Sequence, residues 1–246
     1  MNVLTFKIET VPDVELGKRL YDLHDLSDED VTRVMIAKCR EQEGPDGKLA
    51  LHMQRIAAIS ALYRDDDSIK VWSLGDVKSN EKHLIQHFFA GIEKYTPTLV
   101  SWNGSRHDLP VIHYRALKYG ISSKIYWDKE NNYHGRFHSR HVDLMDTLSG
   151  HQQPGLAPLN EIALMLDLPA SSSNDTAESG DIDLLRQQCE TDVLNIWLVY
   201  LHWLHLTTAL DDAGLTNECQ VVKESLLQEN LPHLTEYLKA WNEKSV

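Results

Sequence analysis

Three carboxylates stand where secondary structure would bring side chains to one place. Glu9 closes an opening strand, Asp108 lies at a strand-to-helix junction, and Asp192 sits inside a long helix. Oxygen donors converging on a point suit a hard divalent cation. Lys7 shares the strand face of Glu9 by period-2 alternation, while Phe6 and Ile8 take the other face. A carboxylate at position 7 would make a metal-binding pair with Glu9; lysine puts a positive charge there. Asp192 has Val193, Leu194, Ile196 and Trp197 around it. An ionised carboxylate on a partly buried helix face needs a metal or a cation as partner.

The elements that must position these groups follow from pattern. Residues 2–12 form a short apolar strand whose far end alternates. Ser27-Asp28-Glu29-Asp30 starts a helix with acidic residues in its first turn, followed by the stripe Val31, Val34, Met35 and Cys39. Arg55 to Tyr63 is a buried strand, with Ile69 to Leu74 its hairpin partner across an acidic turn. A helix over roughly 79–95 carries Leu84, Ile85, Phe88, Phe89 and Ile92. Thr98 to Trp102 is a strand leading through Asn103-Gly104 into a helix near Leu109–Tyr119. The stretch 121–141 is irregular, 171–180 is a polar loop, and a helix runs from about Asp181 to His205. From about 216 onward Val222, Leu226, Leu227, Leu231, Leu234, Leu238 and Trp241 recur at mostly helical spacing, for packing on the domain or on a partner subunit. Hairpin-paired strands followed by alternating strands and helices predict an α/β or α+β domain with a mixed sheet.

At 246 residues the chain fits one domain with a modest appendage. Cys39, Cys189 and Cys219 are far apart and form no CxxC, which argues against a disulfide framework or thiolate zinc and for a reducing, cytoplasmic setting. No apolar run approaches a bilayer span, and no signal peptide is visible. The formal net charge of −13 excludes a broad basic grip on nucleic acid, leaving room only for a local hold on a strand end. There is no Walker loop, dinucleotide fingerprint or GxSxG around Ser105.

Four segments agree in order with one family. They are Phe6-Lys7-Ile8-Glu9-Thr10-Val11-Pro12-Asp13; Ser101-Trp102-Asn103-Gly104 with Asp108-Leu109-Pro110; His141-Val142-Asp143-Leu144-Met145-Asp146; and Cys189-Glu190-Thr191-Asp192-Val193-Leu194. Over about residues 2–206 the chain resembles the DEDD, or DnaQ-like, 3′–5′ exonucleases, most of all the bacterial predicted PolB-like exonucleases. The resemblance implies a ribonuclease H-like fold: a mixed five-stranded sheet flanked by helices in residues 1–206, with residues 207–246 a C-terminal helical extension. It implies 3′–5′ hydrolysis at single-stranded DNA or RNA 3′ ends by two Mg²⁺ or Mn²⁺ ions. Glu9, Asp108 and Asp192 take three of the four ligand positions, and Thr10, Trp102 and Asn103 fall where substrate would be contacted. Lys7 occupies the fourth ligand position. The general-base tyrosine position is Gln188, and the histidine variant of that base falls on Gln187.

These departures bear on activity. A unit charge pair at about 4 Å is worth roughly 4 kcal/mol at an effective dielectric near 20, and an anion-to-cation exchange reverses that sign against a metal. The Gln188 amide can orient water but cannot take its proton. The readings are thus an impaired or inactive exonuclease, or a non-catalytic module binding a strand end or a protein, with homo-oligomerisation or a protein partner through the C-terminal helix. Lys7 either acts as a built-in cation for Glu9, Asp108 and Asp192, or faces solvent and leaves single-metal binding. His134, His138 and His141 have zinc-compatible spacing without a carboxylate partner; exposed loop histidines, with His141 supporting the Asp143 strand, is the simpler reading. A metal-independent hydrolase built on that histidine loop is a third reading. Asp143 and Asp146 either buttress the site or start a helix. Trp102 fits a stacking contact and a core position equally. His202 and His205 form a face near a helix end, where a partly charged imidazole suits the dipole.

Overall fold

The computed structural model describes residues 1–44, 47–134, 140–170 and 181–244. Strands β1 (Val3–Pro12), β2 (Gln54–Arg64), β3 (Ile69–Ser73), β4 (Thr98–Ser101) and β5 (His141–Asp143) form one sheet in the order β3-β2-β1-β4-β5. β2 runs antiparallel to β1 and β3, whereas β1, β4 and β5 are mutually parallel. A short hairpin joins antiparallel β2 and β3, two helices lie between antiparallel β1 and β2, and two more lie in the crossover between parallel β4 and β5, so the mixed sheet expected from the order of elements is what forms.

The described helices are α1 (Val14–Tyr21), α2 (Asp28–Glu43), α3 (Glu81–Tyr95), α4 (Asp108–Tyr119), α5 (Lys124–Trp127), α6 (Leu144–Leu148), α7 (Leu159–Met165), α8 (Ile182–Leu206), α9 (Asp212–Glu229) and α10 (Pro232–Lys244). Side-chain caps fix several starts: Ser27 accepts from the Asp30 amide at 3.2 Å, Asn80 from His83 at 3.0 Å, and Asp181 from Asp183 at 2.9 Å. The stretch 121–141, expected to be irregular, contains α5, whose Ser123 cap accepts from the Tyr126 amide at 3.3 Å. The polar loop expected at 171–180 lies outside the described residues.

Each sheet face has its own core. Phe6 and Ile8 of β1 pack with Leu84, Ile85, Phe88, Phe89 and Ile92 of α3 and with Leu109 and Ile112 of α4. On the opposite face Val3, Leu62, Val71 and Val100 meet Val193, Ile196 and Trp197 of α8, and the cluster continues into Val222, Leu226, Leu234, Leu238 and Trp241. The tail helices therefore pack on the sheet domain. The link is also polar: Arg64 makes a two-pronged ion pair with Glu218 of α9, at 3.0 and 2.9 Å. Ser225 donates to the Ile69 carbonyl at 3.2 Å. Among the described residues no helix is long and apolar enough to cross a membrane.

A buried ionic knot ties the Ile56 end of β2 to the starts of α1 and α3 and to the last turns of α4. Arg115 of α4 donates to Asp13 at 2.5 Å and to both Glu81 oxygens at 2.8 and 2.6 Å. Glu81 also accepts from the Ile56 amide and the Tyr119 hydroxyl. Burial pushes the Asp13 carboxyl up, but the Arg115 bonds outweigh it and hold it below the usual carboxylate range. Breaking a buried pair strands its charges, so Arg115→Ala should cost about 3–5 kcal/mol in urea unfolding at neutral pH. A cost under about 1 kcal/mol would show that the knot does not hold these helix ends.

Candidate functional site

β1 presents Lys7 and Glu9 toward α8, opposite the buried Phe6 and Ile8. A register shift falls at this point: Glu9 pairs with Ala58 and Thr10 with Ile56, so Ala57 is an extra residue on β2. Bulges bend a strand and re-aim its side chains, and this one lies opposite the Glu9–Thr10 step of β1. The Lys7 ammonium lies 3.7 Å from Glu9 Oε1 and donates to the Ile8 carbonyl at 3.0 Å. Burial works to lower the Lys7 pKa, but Asp108, Glu9 and Asp192 together outweigh it and raise it above the usual lysine range. Burial raises the Glu9 carboxyl; Lys7 opposes this, while Asp192 and Asp108 add to it.

The structure thus brings Lys7, Glu9, Asp108 and Asp192 within electrostatic reach of one another. Asp108 is fully buried at the start of α4. Its Oδ1 sits 2.8 Å from His107 Nδ1, whereas Oδ2 is buried with no hydrogen-bond partner. Asp192 is buried on α8, and three residues earlier Cys189 donates its thiol to the Lys7 carbonyl at 3.3 Å. Burial, followed by the charge of Glu9, pushes that thiol far up, so it stays protonated. Gln188, one turn before Asp192, lines a cavity of about 340 Å³ with Gln187, Thr191, His233, Glu236 and Tyr237.

The fit of divalent ions can be tested on this donor set. The orphaned Asp108 Oδ2 is an acceptor that a cation would satisfy. Among the described residues, however, no three acidic, histidine or cysteine side chains converge as metal ligands. The ammonium of Lys7 stands among the carboxylates instead. The arrangement does not fit a pair of metal ions.

Partners that sequence reasoning missed hold the site from behind. Thr10 donates to Gln54 Oε1 at 2.6 Å, and His107 Nε2 lies 3.2 Å from the same oxygen. Gln54 anchors itself to the Leu49 carbonyl at 2.6 Å. Beside Asp192, Glu190 accepts from Ser73 at 2.6 Å and pairs with His233 of α10 at 2.7 Å. Burial pushes Glu190 up, but the bonds from His233 and Ser73 prevail and lower it. Tyr237 donates to Asn195 at 2.6 Å, so α10 closes over the α8 turn that carries Asp192. The motif around Cys189–Leu194 drew attention to Glu190, but nothing in the sequence linked it to His233.

The remaining expectations resolve as follows. Trp102 is a core residue, 6% exposed, with its indole N–H given to the Ala157 carbonyl at 3.1 Å. Asp143 stands at the start of α6, and its two side-chain oxygens accept from the amides of Asn103 and Ser105, each at 2.9 Å. Asn103 adopts a left-handed φ of 62° between them. Asp146 pairs with Arg106 and His151, both at 2.7 Å. His141 is buried with Nε2 2.7 Å from Ser101 Oγ, whereas His134 packs beside Trp127, so the two histidines occupy separate surroundings. His138 lies outside the described residues. His205 pairs with Asp212 at 2.8 Å, but burial lowers His202, which corrects the expectation of a charged imidazole there.

With this geometry in view, the comparisons are informative. The family described as predicted 3′–5′ exonucleases related to the exonuclease domain of PolB matches residues 48–241. That span includes Asp108 and Asp192 but leaves β1, with Lys7 and Glu9, outside it. Among solved structures, a family B DNA polymerase from the hyperthermophilic archaeon Pyrobaculum calidifontis superposes with a TM-score of 0.50 at 15% identity, over 92% of this chain. The chain spans 28% of that polymerase. At this identity the likeness concerns the fold alone, which is ribonuclease H-like. No curated protein matches the sequence.

The loop before Asp108 provides a test of how the site is positioned. A Cβ on Gly104 would collide with the Ser101 side chain. Gly104→Ala should therefore destabilise the protein by about 1–3 kcal/mol, as overpacking does. No loss of stability in thermal unfolding would mean that the Ser101 side chain gives way to the methyl group.

Proposed function

The chain belongs to the family of predicted 3′–5′ exonucleases related to the exonuclease domain of PolB, and we propose that it holds nucleic-acid 3′ ends while Lys7 keeps its hydrolytic centre switched off. The observation that carries this reading is the partly buried ammonium of Lys7, 3.7 Å from Glu9, with its charge sustained by Asp108, Glu9 and Asp192. An internal cation relieves the mutual repulsion that metal ions relieve in a two-metal site, and it repels those ions by the same charge. Gln188, in the place of a general base, offers an amide that can hydrogen-bond but cannot accept a proton at neutral pH.

In this reading residues 1–206 form the exonuclease-like part, and residues 207–246 a helical extension bracing α8. Thr10 and Asn103 are the groups assigned to a terminal nucleotide, and Trp102 supports them from the core. Affinity is weak and local, in keeping with the net charge of −13. The choice between DNA and RNA belongs to the test.

The decisive assay uses 5′-labelled single-stranded DNA and RNA with Mg²⁺ or Mn²⁺. The expected result is binding that weakens when the 3′ end is blocked, without shortening of the strand. Metal-dependent shortening by the unaltered protein would overturn the proposal. Lys7→Asp should raise Mn²⁺ affinity by about tenfold or more in calorimetry; unchanged affinity would remove the role given to Lys7. Lys7→Met leaves three carboxylates without their cation and should cost about 2–4 kcal/mol at pH 7, below the fully buried figure because the pair is partly exposed. That deficit should shrink as pH falls, because Glu9, already raised by burial, takes up a proton and the repulsion is lost. A deficit that grows on acidification would contradict the assigned charges.

A further inference from the structure

The outer face of α3 carries two histidines one turn apart. His83 and His87 are both exposed, while Leu84, Ile85 and Phe88 turn inward to the core. Their ring centres are 4.3 Å apart with the planes inclined at 43°. Among the described residues their ring nitrogens make no hydrogen bond, and the helix turn that holds them is fixed by the Asn80 cap on the His83 amide. α3 covers the sheet face opposite Lys7 and Glu9, so this pair is separate from the site described above.

Two side chains at i and i+4 on a helix stand one above the other. For histidines that spacing allows both rings to bind one metal ion. The ring separation says whether the two can share one ion. With metal–nitrogen bonds of about 2.0 Å and ring centres about 1.1 Å beyond the nitrogen, rings bound at right angles lie about 4.4 Å apart, and tetrahedrally bound rings about 5.1 Å. The observed 4.3 Å is close to these values, so the rings can share an ion once their nitrogens turn toward it. Imidazole ligands in tetragonal geometry favour Cu²⁺, which also heads the affinity order of the first-row divalent ions.

We propose that His83 and His87 form a chelating site for a late first-row divalent ion, with Cu²⁺ bound most tightly and water completing its coordination. The N-terminal half of a helix is mildly unfavourable for a cation. That cost is small beside two metal–nitrogen bonds, and it falls equally on every divalent ion.

The test is calorimetric titration of CuCl₂ into the full untagged chain after removal of metal, with paramagnetic resonance to count coordinated nitrogens. The chain has 13 histidines, so the comparison of variants is what decides. His83→Asn and His87→Asn should each abolish the tightest copper event and, with it, the two-imidazole nitrogen coupling pattern. Both side chains are exposed, so the metal-free melting temperature of each variant should stay at the wild-type value, which separates lost ligation from lost folding. NiCl₂ and ZnCl₂ should bind the same pair more weakly than copper. A tightest copper event that survives in either variant would overturn the assignment, as would a resonance spectrum with no imidazole coupling.

Discussion

An ammonium group beside one carboxylate and in the field of two more is the constraint on which the rest of this molecule depends. Any one of Glu9, Asp108 and Asp192, ionised and buried, would be costly by itself. Placed together without a counter-charge they would also repel one another. Lys7 answers both demands at once, and the response is mutual: the carboxylates keep the lysine charged, and the lysine partly offsets the burial that would protonate Glu9. In the function proposed for this chain, Lys7 is the cation of that acidic cradle.

The architecture around the cradle serves to hold its members at a common depth. The β2 bulge at Ala57 lies opposite the Glu9–Thr10 step of β1, Asp143 gathers the Asn103–Ser105 loop through two backbone amides, and that loop delivers Asp108 to the first turn of α4. α8 brings Asp192 across the sheet and is steadied from outside by His233 and Tyr237 of α10. Three covalently distant segments are registered in this way by hydrogen bonds to backbone and to buried side chains. None of these supports needs flexibility, and Gly104 owes its identity to the Ser101 side chain pressed against it.

Much of the fold was legible in the residues. Alternation placed Lys7 and Glu9 opposite Phe6 and Ile8, polar caps marked the starts of α2 and α8, and the ordered motifs gave the sheet. The short helices α5 and α7 escaped notice because a turn or two of helix carries little periodic signal and is held by tertiary contact. α8 is buried on most sides, so its length was readable but its facing was not. For the candidate site, the motif positions identified which carboxylates to compare. The supports could not be read: Gln54 meets Thr10 across 44 positions and His107 across 53, and His233 meets Glu190 across 43. Such pairings are decided by packing, and a single chain carries no local mark of them. Trp102 was open between stacking and core, and the bond of its indole N–H to Ala157 decided for the core.

The ion pair between Arg64 and Glu218, with the nearby bond from Ser225 to Ile69, has a consequence for how molecules of this protein meet. β3 is the border strand of the sheet, and such strands invite strand-to-strand pairing with neighbouring molecules, the first step toward aggregation. α9 lies against β3, with Glu218 held by Arg64 at the end of neighbouring β2 and Ser225 by the Ile69 carbonyl of β3 itself, so the chain's own tail covers part of this flank. Loosening that tail would uncover a sticky margin together with the part of the core that the tail completes.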